Sequence, residues 1–218
     1  MKPFVCIFTL IFIYILTIVS IRLYCKPMFL STHMKNKFYS LFEKFITICN
    51  EHDIKYFIIA GTLLGSIRHQ EMIPWDDDID VGILDSDLQK FQMIDWDKYG
   101  LKQNVHRDQF SKVFYKNEYD NGVKYESVFI DVFVFEKIES DVSSVYQYTN
   151  KQALINWPNE YFTENDLFPL QTYTFKNLVV MGPNNSLNYA NRAWGKNWPN
   201  TPDVAFLKYL VYPEKLFK

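Results

Sequence analysis

The most hydrophobic stretch of the chain lies at its N-terminus. Residues 4–21 contain no charged residue, proline or glycine, and these 18 positions approach the roughly 20 residues that a helix needs to cross a bilayer. A cleaved signal peptide is the alternative, but its apolar core is usually about 7–15 residues long and ends at a small-x-small site, which the residues after Ser20 do not offer. We therefore predict an uncleaved, single-pass membrane anchor within residues 1–30 and one domain over residues 31–218.

Beyond this segment, helical and strand patterns alternate. Apolar residues recur at positions i, i+3, i+4 and i+7 over residues 36–52, which predicts an amphipathic helix. Further helices are expected near residue 68, at 87–98 with Ser86 as the N-cap, at 144–155, and from Asn184 or Asn185 to Gly195. Strands are expected at 56–60, 78–83, 101–106, 111–116, 124–136 (after an Asn121-Gly122 turn) and as a pair around 171–181. This order, without repeats or linkers, predicts one α/β domain.

Composition and charge exclude several classes of function. The formal net charge is -2, so the chain has no basic field with which to hold a nucleic acid. Its three cysteines are too few and too scattered for a disulfide framework. The four histidines do not combine with them at the spacing of a zinc site. Any metal in this protein is therefore expected to have oxygen ligands.

Two aspartates at the start of a predicted strand give the first indication of chemistry. Residues two apart on a strand point to the same face, so Asp78 and Asp80 are expected to project side by side. Carboxylates this close raise each other's pKa unless a cation lies between them. Oxygen ligands with an open side suit Mg²⁺ or Mn²⁺. The pattern predicts a divalent-cation site, and a solvated acidic turn is the alternative.

The turn before these acids has a composition suited to phosphate. Gly61 follows the apolar run at residues 56–60, where a missing side chain lets a phosphate approach the backbone. Thr62 and Ser66 offer hydroxyl groups, and the helix that follows presents its N-terminus to an anion. A single glycine more often marks only a turn. A glycine-hydroxyl turn after one strand, with two acids at the head of the next, is a rarer combination.

A third acid is expected on a neighbouring strand. Asp131 is the only charged residue between positions 128 and 135. Burying an unpaired carboxylate is costly, so a cation is the economical partner, and an ion pair with a lysine or arginine is the alternative. Three carboxylates around one or two Mg²⁺ ions can align a nucleophile and a leaving phosphate for in-line displacement.

These motifs together resemble a known family. Residues 61–83, GTLLGSIRHQEMIPWDDDIDVGI, are similar to the signature of the LicD family, which includes fukutin and fukutin-related protein. The segment around Asp131 resembles that family's Asp-h-Phe-Pro segment, although Val134 stands where proline is common. Further similarities are Lys112 in SKVFYKNEYD, the turn at residues 168–170 and the closing stretch 187–198. The resemblance covers about residues 36–200.

What the resemblance implies is a nucleotidyltransferase-like mixed sheet flanked by helices, and a transferase of substituted phosphate groups. Such an enzyme moves phosphocholine or an alditol phosphate from a CDP-linked donor to a glycan or glycoconjugate acceptor. By the same resemblance, Asp78, Asp80 and Asp131 hold Mg²⁺ or Mn²⁺ and act in catalysis, Asp131 as a ligand or as the base for the acceptor hydroxyl. The residues then expected near the donor phosphates are Gly61, Thr62, Gly65, Arg68 and Lys112.

Two other functions are compatible with the motifs. One is a glycosyltransferase that uses its Asp-x-Asp to hold a sugar nucleotide, although that fold usually places the motif after a longer nucleotide-binding half. The other is a membrane-tethered binding module without activity, which the intact acids disfavour. A panel of CDP-linked and UDP-linked donors discriminates among the three.

Two sequence signals disagree on which side of the membrane the domain lies. Lys2 precedes the apolar segment, whereas Arg22 and Lys26 follow it, and the positive-inside rule then predicts a cytoplasmic domain. The sequon Asn184-Asn185-Ser186 favours a lumenal domain instead. Several eukaryotic members of the family that the chain resembles are single-pass Golgi proteins, which implies an ER or Golgi lumen if the host is eukaryotic.

Overall fold

The structure, a computed structural model, describes residues 12, 14, 16, 30–74, 76–106, 110–116, 128–139 and 144–199. None of the helices within these ranges is both long and apolar enough to span a bilayer. The predicted anchor at residues 4–21 lies outside the described residues except at three positions, and the predicted Asn121-Gly122 turn lies wholly outside them. Both therefore stay predictions.

Helices and strands alternate along the described chain. The α-helices are α1 (Thr32–Glu51), α2 (Ala60–His69), α3 (Asp85–Gln92), α4 (Lys151–Asn156), α5 (Glu164–Leu167) and α6 (Ser186–Trp194), with a 3₁₀ helix at Trp96–Tyr99. The strands are β1 (Tyr56–Ile58), β2 (Ile79–Leu84), β3 (Leu101–His106), β4 (Phe110–Tyr115), β5 (Phe129–Ile138), β6 (Val145–Tyr148), β7 (Phe162–Thr163), β8 (Gln171–Phe175) and β9 (Leu178–Gly182).

The strands form one mixed sheet and one hairpin. The order β1-β2-β5-β4-β3 makes the main path of the seven-stranded sheet, and β6 and β7 extend it from β5. Strands β2 and β5 are parallel, whereas every other pair is antiparallel among the residues that the structure describes. The long strand β5 pairs with β4 through its first half and with β6 through its second. This central position of β5 sets Asp131 inside the sheet.

The core lies between α1 and the sheet, and aromatic side chains dominate it. Ser31 caps α1, its hydroxyl accepting a hydrogen bond from the Met34 amide at 3.2 Å. The helix buries its apolar face, as the sequence predicted, with Phe42 edge-on to Tyr56 at a ring distance of 6.1 Å. Phe45 stacks on Trp96 of the 3₁₀ helix at 6.3 Å. These contacts bury one face of α1 against the sheet and the 3₁₀ helix.

The element predictions fare differently along the chain. The first helix, the β8–β9 hairpin and the last helix, with Asn185 as its N-cap and Gly195 as its C-cap, are confirmed. The single helix predicted at 144–155 is wrong, because β6 occupies its first half and α4 starts only after the Asn150 cap. In β6 the side chains alternate between half-buried and buried, the period of a strand.

The helix predicted at 87–98 is also corrected. Helix α3 begins at Asp85, and the residue before it makes no side-chain cap. The Ser86 amide instead donates a hydrogen bond to the Asp85 carboxylate at 2.8 Å. The helix ends at Gln92, and the 3₁₀ helix follows from Trp96. The break lets the Trp96 ring turn inward against Phe91, at a ring distance of 5.2 Å.

Candidate active site

Three charged side chains lie in one row across the middle of the sheet. Asp80 on β2 is the register partner of Asp131 on β5, and Asp131 is the register partner of Lys112 on β4. Register partners on neighbouring strands project to the same face of a sheet. Asp78 stands directly before β2, two residues from Asp80. The parallel pairing of β2 with β5 thus brings together acids that are about fifty residues apart in sequence.

The three predicted acids converge. One carboxylate oxygen from each of Asp78, Asp80 and Asp131 lies within 4.8 Å of the others, which is close enough for one shared ion. Asp131 is buried, whereas Asp78 and Asp80 are only partly buried, so the cluster is open on one side. Asp76, Asp77 and Asp78 form a second group at the same spacing. The geometric prediction for the three acids is confirmed, and their catalytic role stays a prediction.

The environment of the acids disfavours their charge in the absence of a cation. Burial, with the nearby Asp77 and Asp131 carboxylates, raises the pKa of Asp78 to about 7. Burial and then the Asp78 and Asp131 carboxylates raise the pKa of Asp80 well above its ordinary value. A divalent cation among the oxygens would reverse this repulsion. An all-oxygen donor set with an open side fits Mg²⁺ or Mn²⁺ and does not suit a soft metal.

Lys112 is the positive charge beside the acids. Its Nζ lies 2.9 Å from Asp131 Oδ1, and the side chains of the two residues are only 8% and 6% exposed. The same ammonium lies 3.1 Å from the centre of the Phe129 ring, where cation–π attraction adds to the ion pair. The two sequence interpretations of Asp131 therefore coexist, because it is paired with a lysine and also belongs to the acid cluster. One lysine leaves most of the negative charge of the cluster uncompensated.

The start of helix α2 is tied to the strand that carries Asp80. The Asp80 amide donates to Thr62 Oγ1 at 2.8 Å, and the Asp80 carbonyl accepts from the Ile59 amide at 3.2 Å. Among the described residues, no hydrogen bond from the Gly61 or Thr62 amide to a protein acceptor is observed, and the Asp76 carboxylate lies against Gly61. Two N–H groups at the positive end of a helix are thus available to an anion beside the acids.

A carboxylate approaches Gly61 closely. A Cβ at this position would lie 2.8 Å from Oδ2 of Asp76, nearer than side chains normally come. The glycine therefore lets the acidic segment and the first turn of α2 lie against each other. The group that approaches Gly61 in the structure is the Asp76 carboxylate, and the contact of Gly61 with a phosphate stays a prediction.

The other predicted phosphate-binding residues occupy less direct positions. Thr62 is 1% exposed, and its hydroxyl holds the Asp80 amide. Gly65 is buried, and a Cβ there would meet the Glu71 carbonyl oxygen at 2.6 Å, so close packing favours glycine at this position, and its place near a donor phosphate stays a prediction. Arg68 lies in the last turn of α2, about 9 Å along the helix from Thr62 at 1.5 Å per residue. Lys112 forms an ion pair with one of the acids, whereas no ion pair between Arg68 and the acids is observed among the described residues.

Sequence reasoning missed a carboxylate next to the cluster. Glu160 accepts hydrogen bonds from the hydroxyls of Tyr148 at 2.8 Å and Tyr189 at 3.1 Å. Burial raises the pKa of Glu160, although the two hydroxyls act in the opposite direction. Its charge also reaches Asp80, whose pKa it helps to raise. Nothing in the Pro- and Asn-rich stretch around Glu160 signals these contacts, because both tyrosines are distant in sequence.

A protein-family model and several known proteins match the sequence of this chain. The family model described as LicD/FKTN/FKRP, nucleotidyltransferase domain, matches residues 53–185. An uncharacterized protein of Rickettsia typhi is 33% identical over 165 residues, which cover 72% of this chain and 45% of that protein. The lipopolysaccharide cholinephosphotransferase LicD of Haemophilus influenzae is 25% identical over 127 residues, covering 53% of this chain and 48% of LicD.

A human relative extends the comparison. The ribitol 5-phosphate transferase FKRP of Homo sapiens is 24% identical over 161 residues, which cover 71% of this chain and 31% of FKRP. The chain thus spans about half the length, or less, of these three relatives. The matched family region contains all three converging aspartates and Lys112. On this match, the chain belongs to the LicD/FKTN/FKRP family of nucleotidyltransferase domains.

Proposed function

We propose that the chain transfers a phospho-substituent, of the phosphocholine or alditol-phosphate type, from a CDP-linked donor to a glycan acceptor. The observation that carries this proposal is the convergence of Asp78, Asp80 and Asp131 within 4.8 Å beside two open helix amides. Relatives named as a cholinephosphotransferase and a ribitol 5-phosphate transferase support the choice of substituent. The same relatives favour this reaction over the transfer of a sugar from a UDP-linked donor.

The proposed cofactor is Mg²⁺ or Mn²⁺, held by Asp78, Asp80 and Asp131. When bound, such an ion offsets the charge of the donor phosphates and of the acids themselves. The open amides of Gly61 and Thr62 would accept phosphate oxygens at the positive end of α2. Lys112, paired with Asp131, would offset part of the negative charge of the acids that the donor phosphates approach.

The transfer itself is an in-line displacement. An acceptor hydroxyl forms a bond to the phosphorus that carries the substituent, the bond from that phosphorus to the bridging oxygen breaks, and CMP leaves. The proton of the hydroxyl goes to a carboxylate, for which Asp131 is the proposed group. A base near the acceptor contributes typically a factor of about 10² to 10⁴ in rate.

The membrane is part of this proposal. Residues 4–21 would anchor the chain as a single-pass protein, which keeps the domain near membrane-linked glycan acceptors. In a eukaryotic host the domain would face the ER or Golgi lumen.

A donor panel tests the proposed function. The full chain, purified in detergent, is incubated with Mg²⁺ or Mn²⁺, a glycan mixture and one of CDP-choline, CDP-ribitol, CDP-glycerol or a UDP-sugar, and nucleotide release is measured. We expect CMP release from one CDP-linked donor, its loss in Asp80→Asn, and its retention in Asp95→Asn, which changes an exposed acid outside the cluster. Release of UDP from a UDP-sugar, with no turnover of any CDP-linked donor, would overturn the proposal.

A further inference from the structure

A tyrosine outside the matched family region reaches the first turn of α2. Tyr189 lies on α6, beyond the end of the match at residue 185, and its side chain is fully buried. Its hydroxyl accepts a hydrogen bond from the Ala60 amide at 3.4 Å and donates one to Glu160 at 3.1 Å. The contact spans 129 residues of sequence. It joins the last helix of the domain to the turn that carries the two open amides.

The first turn of α2 needs such a contact. Ala60 has a φ of 45°, in the left-handed region that a residue with a side chain rarely adopts. The Ile59 amide is held by the Asp80 carbonyl and the Asp80 amide by Thr62, so Ala60 lies between two fixed points. The Tyr189 hydroxyl holds the amide of Ala60 itself. Without it, the Ala60 peptide could relax toward a more favourable conformation.

Glu160 fixes the direction in which the Tyr189 hydroxyl points. A hydroxyl that donates its hydrogen to a carboxylate presents its lone pairs to the other side, here to the Ala60 amide. Burial, and then the Glu160 charge, raise the pKa of Tyr189 well above its ordinary value, which keeps the hydroxyl protonated. The ring is held independently, because it stacks on Phe162 at 4.4 Å and meets Trp194 edge-on at 5.5 Å.

We infer that Tyr189, oriented by Glu160, is a positioning residue that holds the first turn of α2 in the conformation that presents the Gly61 and Thr62 amides to a donor phosphate. The inference rests on the proposed function for the identity of the anion. The hydrogen-bond chain from Glu160 through Tyr189 to Ala60 belongs to the fold and can be tested without turnover.

Two phenylalanine substitutions form a matched pair. Tyr189→Phe removes the hydroxyl that holds Ala60 and keeps the stacked ring. Tyr148→Phe removes the other hydroxyl bonded to Glu160, and no hydrogen bond is observed between this hydroxyl and α2 among the described residues. Both tyrosines are buried, so a general loss of stability is expected to be similar in the two variants.

Hydrogen–deuterium exchange of the full chain in detergent measures the local effect. In Tyr189→Phe we expect exchange in peptides that span residues 59–66 to quicken by about three- to tenfold, the loss of one neutral hydrogen bond. Peptides within β5 should exchange as in the wild type. In Tyr148→Phe the α2 peptides should be unchanged. Equal exchange in the wild type and Tyr189→Phe, or equal quickening in both variants, would overturn the inference.

Ligand binding and kinetics distinguish a positioning role of Tyr189 from a general loss of stability. With Mg²⁺ present, the dissociation constant for CDP should rise about three- to tenfold in Tyr189→Phe and less than twofold in Tyr148→Phe, and KM for the acceptor should not change. If Tyr189→Phe does not fold, Glu160→Gln is the alternative variant, because it keeps the shape of the side chain and weakens its hydrogen bond with Tyr189. Unchanged exchange of the α2 peptides in Glu160→Gln would also contradict the inference. Failure of the wild type to bind CDP or to turn over any CDP-linked donor removes the proposed function, whereas the exchange result still decides on Tyr189.

Discussion

Lys112 and Asp131 face each other across two antiparallel strands, with Lys112 Nζ 2.9 Å from Asp131 Oδ1. The pair is nearly closed to water, and yet Asp131 also lies within 4.8 Å of Asp78 and Asp80. Asp131 thus has one fixed cation on one side and two further acids on the other. The lysine offsets one negative charge of the cluster and leaves the others to a further cation.

Removing the charge of Lys112 should lower the free energy of unfolding. Lys112→Met removes the ammonium that pairs with Asp131, and breaking a buried pair in this way costs about 3–5 kcal/mol. We expect a loss of that order in the free energy of unfolding, measured by urea titration in EDTA, and partial recovery when Mn²⁺ is added.

A double variant separates charge from packing. Lys112→Met combined with Asp131→Asn removes both charges, so most of the lost stability should return while turnover stays absent. A double variant as unstable as Lys112→Met alone would show that the lysine acts through its contacts with Phe110 and Phe129 rather than through Asp131.

Each of the paired acids should be needed for turnover and dispensable for folding. Asp78→Asn and Asp80→Asn each remove one oxygen ligand and its charge, so metal-dependent CMP release should fall by at least about 10³-fold, or roughly 4 kcal/mol of transition-state stabilisation. EDTA should abolish the activity of the wild type, and Mg²⁺ or Mn²⁺ should restore it. Near-normal activity in either variant, with Asp95→Asn as the reference, would remove that residue from the site.

The stability of the metal-free protein should depend on pH through Asp78. Its folded-state pKa of about 7 lies above the unfolded value, so the folded state binds the proton more tightly, and wild-type stability rises as the pH falls from about 7 toward 4. Above pH 7 the full cost of the negative charge on Asp78 is present. Asp78→Asn removes that cost, so at pH 8 the free energy of unfolding of this variant should exceed that of the wild type by about 1 kcal/mol or more. Each kcal/mol corresponds to a rise of roughly 2–4 °C in Tm. The advantage should shrink between pH 7 and pH 4, and a pH-independent difference in EDTA would contradict the assignment.

The acids and the long periodic elements could be predicted from sequence for physical reasons. The spacing of Asp78 and Asp80, and the isolation of Asp131 in an apolar strand, are local patterns that report which face a side chain occupies. Helix α1 and the last helix carry their caps and apolar stripes within a few residues. Such signals do not depend on the rest of the fold.

The misses have a common cause, since they depend on contacts that are distant in sequence. Residues 145–148 form a strand because β5 and β7 flank them, and no local count of apolar residues records those neighbours. Glu160 gains its role from tyrosines 12 and 29 residues away. Each is decided by tertiary packing rather than by propensity.

Gly61→Ala should separate activity from stability. The new methyl group would lie 2.8 Å from Asp76 Oδ2 and cover the backbone that a phosphate would approach, whereas alanine favours a helix over glycine by about 1 kcal/mol. We expect kcat/KM for the donor to fall about tenfold or more with Tm nearly unchanged. Gly100→Ala should show the opposite pattern, because its φ of 70° strains alanine by about 1–2 kcal/mol and nothing crowds its Cβ. Unchanged donor kinetics in Gly61→Ala would mean that phosphate does not approach there.

The N-terminal anchor can be tested apart from the site. If residues 4–21 span the bilayer, the chain should remain with membranes after alkaline carbonate washing, at a mass that includes the N-terminus. Deletion of residues 1–30 should release a soluble domain that still binds CDP with Mg²⁺, because α1 starts at Thr32 and the acids lie beyond it.

Glycosylation adds the side of the membrane to the same experiment. Asn184 is exposed, next to the Asn185 cap of α6, and its amide donates to the Asn165 carbonyl at 3.1 Å. That hydrogen bond must open before a glycan can be attached. A glycan at Asn184 in a eukaryotic host would show that the domain is lumenal. An Asn184→Gln variant, which lacks the acceptor amide, provides the matched control. A glycan would override the count of Arg22 and Lys26, which predicts a cytoplasmic domain. Recovery of a secreted product that starts near residues 22–30 would contradict the anchor, since the apolar segment would then have served as a cleaved signal.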